Sequence, residues 1–495
     1  MYKRQQAGRP YHTYFNAYID GKTNGIASNG IQMGDEKVAY ATGVIRNQTQ
    51  RLLDDEGDIR DQLKADLLNR LETSGIDGDL EEFGPQLYDV AKAVYSHRDL
   101  NKATTMTFGY GKELDSFVED ISDAIDLLYE RSLNDPESTF SQSVDIISEA
   151  EGREVLNETL KNFYVGSLVG VLGADAVQSR AIMRSAAMMH AITNQLFSIT
   201  SPTGFQLNLG GEATLGFDKE TAVTYTINKQ GKKQKVVAGQ YQTESTAAAI
   251  RRDTDEEGNI RATPGQAAYG GSVPAPVQSL DAATVALSAS GRTWGKLRSA
   301  SNGNPYMHTI YDAFKLDAMG FDVGVQEINN NWLEAGMKWS YLESTRESTE
   351  EALTAWNKEM LQLPQDTTVD ISIDGPYRMM GWLLEPQETQ GGTMFPTRLS
   401  NRLKNIVHAN TLEEADGLSK DATKRVLDKV KRSGVNVYEN PKEVTVVQLR
   451  VFVKAMADEL NLRSRLTAMI NKTNEGKKNL RKKIKRDGVL QYYAH

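Results

Sequence analysis

Hydrophobic and polar positions are interleaved with helical spacing over much of the first two hundred residues. Stretches such as IRDQLKADLLNRLE within residues 35–97 and AVQSRAIMRSAAMMHAITNQLF within 111–200 predict amphipathic helices. From Ser201 the pattern changes to short β-branched alternations separated by turn residues, which predicts hairpins. Residues 240–275 are rich in Gly, Ala and Thr and are predicted to form an exposed loop region.

The second half of the chain is predicted to be helical again, with two strand-forming stretches. Helix is expected from near Ala282, over residues 324–361 and over 411–480. The stretch HTIYDAFK predicts a buried β-hairpin with Asp312 at its tip, and TTVDISI predicts a further strand. The pattern therefore predicts the α+β class, mostly helical with a small antiparallel sheet.

Composition excludes several kinds of protein. The chain has 495 residues, enough for about two to four domain-sized units, and its net charge is −9. It contains no cysteine, which excludes disulfides, thiolate metal sites and cysteine nucleophiles. The six histidines show no metal-ligand spacing, and no apolar run is long enough to span a membrane. The acidic balance argues weakly against a nucleic-acid coat protein, but it is compatible with an enzyme that concentrates cations in a channel.

The first of four chemically informative stretches is YIDGKTNGIAS, in which an apolar strand end leads into Asp20 and a Gly-rich turn. Asp-Gly is a common turn dipeptide, so alone this pattern is structural roughly nine times in ten. The functional interpretation places the Asp20 carboxylate at a rigid strand end where it holds Mg²⁺, with Gly21 leaving room for a phosphate.

The second stretch is RDLNKATTMTFGYG. At about 100° per residue, Arg98, Lys102 and Tyr110 share one helix face within an arc of about 120°. Two cations followed by an aromatic ring suit a nucleoside triphosphate laid along that face. Gly109 and Gly111 predict that the helix ends at the tyrosine. A solvated basic stripe with a capping glycine is the alternative.

The third and fourth stretches lie in the second half of the chain. In PAPVQSLDAATVALS, Gln278 and Asp281 open a helix, either as ordinary capping residues or with Gln278 contacting the minor groove of a template–product duplex. In HTIYDAFK, apolar and aromatic residues surround Asp312. A buried, unpaired carboxylate is costly, so either a metal ion or a basic partner is expected to stabilise it.

In this order along the chain, the four stretches resemble the motifs of the single-subunit RNA polymerases of bacteriophages and mitochondria. That family shares its palm and fingers with the family A DNA polymerases. Its first motif, Asp-Gly-x-x-x-Gly, is matched by Asp20, Gly21 and Gly25. Its fingers-helix motif, Arg-x-x-x-Lys followed by Tyr-Gly, is matched by Arg98, Lys102, Tyr110 and Gly111.

The match to the rest of the family pattern is partial. Where the last motif is usually His-Asp-Ser-Phe, this chain has Tyr311-Asp312-Ala313-Phe314. Gln278 stands where the RNA polymerases have histidine and the DNA polymerases have glutamine. The resemblance covers residues 15–330 in patches.

The resemblance implies a nucleotidyltransferase that uses ribonucleoside triphosphates. Asp20, Gly21 and Asp312 would hold two Mg²⁺ ions, which activate the RNA 3′-hydroxyl and neutralise the leaving pyrophosphate. Arg98 and Lys102 would bind the triphosphate, and Lys102 is a candidate proton donor to pyrophosphate.

The resemblance also implies selection for ribose. The related DNA polymerases carry glutamate five residues after the first catalytic aspartate, where it blocks a 2′-hydroxyl. In this chain Gly25 leaves that space open, and Tyr110 would sense the 2′-hydroxyl with its own hydroxyl group.

The expected architecture is a right-hand polymerase with palm and fingers. Residues 1–40 and 274–345 are predicted to form the palm, residues 41–273 the fingers, and residues 346–495 a helical C-terminal extension with a basic tail. That tail either binds nucleic acid or is solvated.

Family members carry a promoter-binding domain and the thumb before the first motif, which here begins near the start of the chain. A second polypeptide is therefore expected to supply those regions, as in the split, two-chain RNA polymerases of certain phages. The other expected partners are template DNA, the RNA product and ribonucleoside triphosphates, with no membrane, in the cytoplasm of an infected bacterial host.

Two rival interpretations remain. A family A-like DNA polymerase is disfavoured by Gly25 and by the lack of an exonuclease-like segment. A non-enzymatic DNA-binding structural protein is disfavoured by the ordered occurrence of the motifs.

Overall fold

The computed structural model is mostly helical with small antiparallel sheets, which confirms the α+β class. Among the described residues, no helix combines the length and the apolarity needed to cross a bilayer. The structure describes residues 16–21, 24–45, 59–73, 91–96, 101, 108–109, 111, 122–123, 125–126, 130, 157, 160, 166–171, 173–209, strands between 215 and 261, 269–301, 303, 305–310, 313–372, 375–389, 392–407, 412–437, 439, 441–488 and 492–494.

The first half of the chain begins with a strand, continues as helices and ends in hairpins. The first elements are β1 (Asn16–Gly21), α1 (Asn24–Met33), α2 (Glu36–Ala41), α3 (Ile59–Thr73) and α4 (Ala174–Ile192). The strands are β2 (Phe197–Thr200), β3 (Gln206–Leu209), β4 (Leu215–Asp218), β5 (Val223–Ile227), β6 (Lys233–Val237), β7 (Gln240–Thr243), β8 (Asp253–Thr254) and β9 (Ile260–Arg261). They pair as β2–β3, β4–β7, β5–β6 and β8–β9. The β2–β3 and β5–β6 pairs confirm the hairpins predicted after Ser201. Strands β7, β8 and β9 lie within residues 240–275, so the loop region predicted there was wrong for these strands.

The second half contains longer helices separated by short strands. Its first elements are α5 (Pro274–Ser288), α6 (Gly291–Ala300), β10 (Met307–Ile310), β11 (Ala313–Asp317), α7 (Phe321–Lys338), α8 (Tyr341–Gln362), β12 (Thr368–Asp370) and α9 (Arg378–Leu384). The remaining ones are β13 (Gln387–Glu388), β14 (Met394–Phe395), α10 (Thr397–Lys404), α11 (Leu412–Arg432), β15 (Glu443–Thr445), α12 (Val446–Leu460), α13 (Leu462–Asp487) and β16 (Tyr492–Ala494). The strand expected in TTVDISI is confirmed by β12.

Several predicted boundaries were wrong. The helical region expected to reach residue 200 ends at Ile192, because the alternation of buried Phe197 and Ile199 with more exposed neighbours forms strand β2. The helix expected near Ala282 begins at Pro274, where the missing proline N–H costs nothing in the first turn. Strand β15 interrupts the helix expected over 411–480.

A four-stranded antiparallel sheet connects the two ends of the chain. Its strand order is β10-β11-β1-β16. Ile19 of β1 pairs with Phe314 of β11, and on the other edge Asp20 pairs with Tyr493 of β16. The C-terminal region, predicted to be an extension separate from the palm, therefore contributes a strand to the same sheet as Asp20.

One face of this sheet packs against an apolar core. Ile19, Phe314 and Leu316 are fully buried, whereas Tyr18 on the opposite face is 49% exposed. This alternation follows from the two-residue period of a strand. Helices α1, α5 and α7 contribute to the same core, which includes Ile31, Leu280, Ile328 and Trp332. Burying one such side chain contributes about 1.5–3 kcal/mol, so these helices hold the sheet firmly.

A second and larger apolar core joins α4 to the C-terminal helices. Helix α11 contributes Ala422, Val426 and Val430, which recur at helical spacing. His190 of α4 is also buried there, with Nε2 3.3 Å from the Thr349 hydroxyl oxygen. Burial lowers the pKa of His190 to about 4, so this histidine is neutral at pH 7 and serves packing.

Helices α1 and α13 meet through a pair of glycines. Gly34 follows α1 with a φ of +66°, and Gly476 lies within α13. A methyl group built on Gly476 would lie 2.6 Å from the carbonyl oxygen of Gly34. The neighbouring Lys477 is buried, donates to the carbonyl oxygen of Trp339, and has its pKa lowered to about 8 by that burial. The C-terminal helix is thus fixed directly to the helix that follows β1.

We expect Gly476→Ala to lower the free energy of unfolding by about 1–3 kcal/mol, because the added methyl group collides with backbone. Urea unfolding followed by circular dichroism measures this change.

Gly417→Ala in α11 is the matched control, because no atom lies within 4 Å of the added methyl group. There the better helix propensity of alanine should raise stability by about 0.5–1 kcal/mol. Equal effects of the two substitutions would contradict the close contact between α1 and α13.

Candidate functional site

Asp20 and the residue that follows Asp312 in the chain lie at one end of the β1–β11 strand pair. The backbone of Asp20 and Gly21 completes β1, directly after the Ile19–Phe314 pair. On β10 and β11, Ile310 pairs with Ala313, so these two residues close the predicted hairpin. Asp312 itself lies outside the described residues, but it is bonded to Ala313 in the chain. The side chain of Asp20 is likewise not described.

Gly25 lies in the first turn of α1 and is buried against a distant segment of the chain. A methyl group built on Gly109 would lie 3.0 Å from the carbonyl carbon of Gly25 and 3.1 Å from its Cα. The backbones of Gly25 and Gly109 therefore lie closer together than a side chain at position 109 would permit. The contact joins the first motif, near Asp20, to the segment that includes Tyr110.

The second motif ends as the sequence predicts. Gly111 has a φ of +92°, and its amide donates to the carbonyl oxygen of Phe108 at 3.0 Å. This left-handed conformation favours glycine and ends a helix. Its Cα packs toward α5, because a methyl group on Gly111 would lie 2.8 Å from Cβ of Val273.

Two buried arginines of α4 hold this segment. Arg184 Nη2 donates to the carbonyl oxygen of Gly111 at 2.5 Å, and the Arg180 guanidinium lies 3.6 Å from the centre of the Phe108 ring. Both arginines are less than one-tenth exposed. Their role was not predicted from the sequence, although two arginines four residues apart in the largely apolar AVQSRAIMRSAAMM are a visible signal.

The residues predicted to bind the triphosphate, Arg98, Lys102 and Tyr110, lie outside the described residues. The neighbouring Asn101 is buried and helical, and its side-chain nitrogen donates to the carbonyl oxygen of Tyr95 at 2.7 Å.

Helix α5 lies beside α1 and carries Gln278, which is exposed. The two helices are joined by the side-chain nitrogen of Gln32, which donates to the carbonyl oxygen of Pro276 at 3.1 Å. Gln278 follows Pro276 by two residues, so its exposed side-chain amide is carried by a part of α5 that is fixed to α1. Asp281, on the same helix, is partly buried.

Hydrogen bonds from α7 and α8 hold the middle of α1. Trp332 Nε1 donates to the Ser28 hydroxyl at 3.3 Å, and the Tyr341 hydroxyl donates to the side-chain oxygen of Asn29 at 3.2 Å. Burial raises the pKa of Tyr341, so its phenol stays protonated and keeps this role as a donor. The helix that follows Asp20 is therefore held on several sides.

Within the part of the chain that the structure describes, no cluster of three or more His, Asp or Glu side chains is arranged to hold a metal ion. The predicted magnesium ligands are not covered by this finding, because neither the Asp312 residue nor the Asp20 side chain is described. Carboxylate oxygens are the protein ligands that Mg²⁺ prefers, and the backbone brings the ends of β1 and β11 together.

Neither the models of known protein families nor the sequences of curated proteins give a match to this chain.

We expect Gly109→Ala to loosen the contact between the two motif segments, since the added methyl group must displace the backbone of Gly25. Amide hydrogen exchange in residues 24–33 should become about tenfold faster or more, measured by mass spectrometry.

Gly295→Ala in α6 provides the control, because nothing lies within 4 Å of its added methyl group. Unchanged exchange in residues 24–33 of the Gly109→Ala variant would mean that the two segments do not meet.

Proposed function

We propose that this chain is the catalytic subunit of a DNA-directed RNA polymerase that transcribes phage genes in the cytoplasm of an infected bacterium. Its substrates are ribonucleoside triphosphates, which it adds to the 3′ end of an RNA paired with template DNA. A second polypeptide completes the enzyme.

The observation that carries the proposal is the convergence of segments far apart in the sequence. The end of β1, with Asp20, lies beside the start of β11, which follows Asp312 in the chain. Gly25, five residues after Asp20, packs against Gly109 of the second motif. An accidental set of motifs has no reason to meet in this way, whereas a nucleotidyltransferase requires these segments at one place.

The third motif supports the same interpretation. Gly111 packs against Val273, directly before α5, and the exposed Gln278 follows Val273 by five residues on that helix. A glutamine amide held on a rigid helix beside the site can contact the minor-groove edge of the newest base pair, where every base pair offers an acceptor.

The proposed chemistry rests on two carboxylates. Two Mg²⁺ ions held by Asp20 and Asp312, with Gly21 adjacent, would activate the RNA 3′-hydroxyl and neutralise charge on pyrophosphate. Arg98 and Lys102 bind the triphosphate and orient it for in-line attack. Protonated Lys102 would give a proton to the leaving pyrophosphate.

Ribose selection is assigned to Gly25 and Tyr110. Gly25 has no side chain to occupy the space beside the 2′-hydroxyl, and its backbone packs on the residue that precedes Tyr110. In this arrangement the tyrosine hydroxyl forms a hydrogen bond with the 2′-hydroxyl of the incoming nucleotide.

In this proposal, the β10-β11-β1-β16 sheet with α1, α5 and α7 is the palm. The fingers comprise residues 41–273, which include the arginines that hold Gly111. Residues 346–495 wrap back to the palm through α13 and β16.

RNA extension on a pre-annealed RNA–DNA scaffold, with Mg²⁺ and ribonucleotides, tests the function. We expect Asp20→Asn and Asp312→Asn each to reduce extension at least about a hundredfold, since each removes a carboxylate worth several kcal/mol at the metal ions. The assay is run with the chain alone and with proteins co-expressed from the same source.

Asp322→Asn is the matched control, because Asp322 is an exposed acid in the first turn of α7. It should extend RNA like the unmodified chain. Extension by Asp312→Asn at the normal rate, or extension with deoxynucleotides alone, would overturn the proposal.

We expect Tyr110→Phe to weaken the preference for ribonucleotides over deoxynucleotides by about three- to tenfold, the worth of one hydrogen bond. Competing the two nucleotide types in the scaffold assay measures this ratio. Tyr306→Phe, at a tyrosine 42% exposed, is the control and should leave the ratio unchanged. An unaltered sugar preference in Tyr110→Phe would contradict a role for Tyr110 in selecting ribose.

A further inference from the structure

Positive charge is concentrated in α13, against the trend of the whole chain. The chain carries a net charge of −9, yet α13 contains ten Lys and Arg residues and only two acidic residues. Ordinary solvation of a surface helix does not require such a segregation of charge, since mixed signs serve it equally well.

Several of these cations are bonded to the protein itself. They are Lys472 with Asp175, Lys483 with Glu36, Arg486 with Asp487, Arg481 with the carbonyl oxygen of Met337, and Lys477 with the carbonyl oxygen of Trp339. Apart from the Arg486–Asp487 pair, which lies within α13, these contacts attach α13 to its neighbours.

Three lysines point away from the protein and form what we call the lysine stripe: Lys478, Lys482 and Lys485. All three are exposed, and within the described part of the chain none forms an ion pair with an acidic side chain. Their spacing of four and three residues puts them within an arc of about 60° on one helix face. Along the axis they span about 10 Å.

These dimensions suit a nucleic-acid backbone. Each strand of a duplex carries one phosphate per roughly 3.4 Å of helix axis, so about three phosphates fall along the length of the lysine stripe. Lysine is a flexible point charge that binds phosphate oxygens without demanding one orientation. Farther toward the N-terminus, the same face of α13 carries the uncharged Thr467 and Asn471, so the lysines of this face lie in the C-terminal half of the helix.

That half of α13 is the part attached to the proposed palm. Gly476 packs on Gly34 at the end of α1, and the Tyr40 hydroxyl donates to the Asp487 carboxylate at 3.0 Å. Beyond α13 the chain returns to the sheet, where Tyr493 pairs with Asp20. The lysine stripe is therefore held at a fixed position relative to the predicted catalytic strand.

We propose that the lysine stripe binds the phosphate backbone of the nucleic acid that occupies the polymerase site. This inference deepens the proposed function and rests on it. The C-terminal helix would thereby bind the phosphates of the template or product strand, whatever the base sequence.

The test compares the affinity of the full chain for a fluorescein-labelled RNA–DNA hybrid with a single-stranded template overhang, over a range of salt concentrations. In the triple variant Lys478→Gln, Lys482→Gln, Lys485→Gln, we expect affinity at about 100 mM salt to fall about tenfold or more. The slope of log affinity against log salt should become shallower by about two to three, because roughly three phosphate contacts are lost.

The matched control is Lys358→Gln, Lys420→Gln, Lys454→Gln, which removes the same charge from exposed lysines on other helices. It should change affinity less than twofold. Both triple variants are checked for unchanged thermal unfolding, as expected for exposed side chains.

Binding of the hybrid needs no catalysis, so a failure of this inference can be distinguished from a failure of the chain to extend RNA. An unchanged salt slope in the stripe variant, or equal losses in the two variants, would overturn the inference even if the chain extends RNA. A stripe variant that binds the hybrid normally but no longer retains a co-expressed polypeptide would assign the lysines to an acidic protein surface instead, and would equally overturn it.

Discussion

The antiparallel pairing of β1 with β11 is the constraint on which the proposed site depends. It joins residues almost three hundred positions apart in the chain and is held by the burial of Ile19, Phe314 and Leu316 against the covering helices. Because strand register is set by which face is buried, a slip of one residue would expose this apolar set. The same register brings the end of β1 beside the residue that follows Asp312.

The glycines extend this constraint from the sheet to the rest of the molecule. The close approach of Gly109 to Gly25 ties the second motif to the helix after β1, and Gly476 against Gly34 ties the C-terminal helix to the end of that helix. Backbone this close leaves little freedom for either segment to move independently. The distal part of the chain, through β16, is thereby part of the same body as the predicted catalytic strand.

Local pattern was enough to predict some of these features. Apolar residues around Asp312 indicated the β10–β11 hairpin, and the glycines around Tyr110 indicated the helix end that Gly111 makes. Long-range contacts gave no such signal. The three-residue strand β16 is too short to show a periodicity, and the Gly34–Gly476 contact depends on the crossing of two helices. The buried arginines of α4 were visible as charges on an apolar helix, but their acceptor at Gly111 was not.

The central claim is that the carboxylates of Asp20 and Asp312 share one metal site. Iron-directed cleavage tests it most directly, because Fe²⁺ bound in place of Mg²⁺ reduces added hydrogen peroxide to hydroxide and a hydroxyl radical, which cuts the backbone near the metal, while ascorbate returns the Fe³⁺ to Fe²⁺. We expect two clusters of cuts in the intact chain, around residues 18–25 and 307–315. Both clusters should be suppressed by excess Mg²⁺ and lost in Asp312→Asn. Cuts in only one of these regions, or none in either, would contradict the shared site.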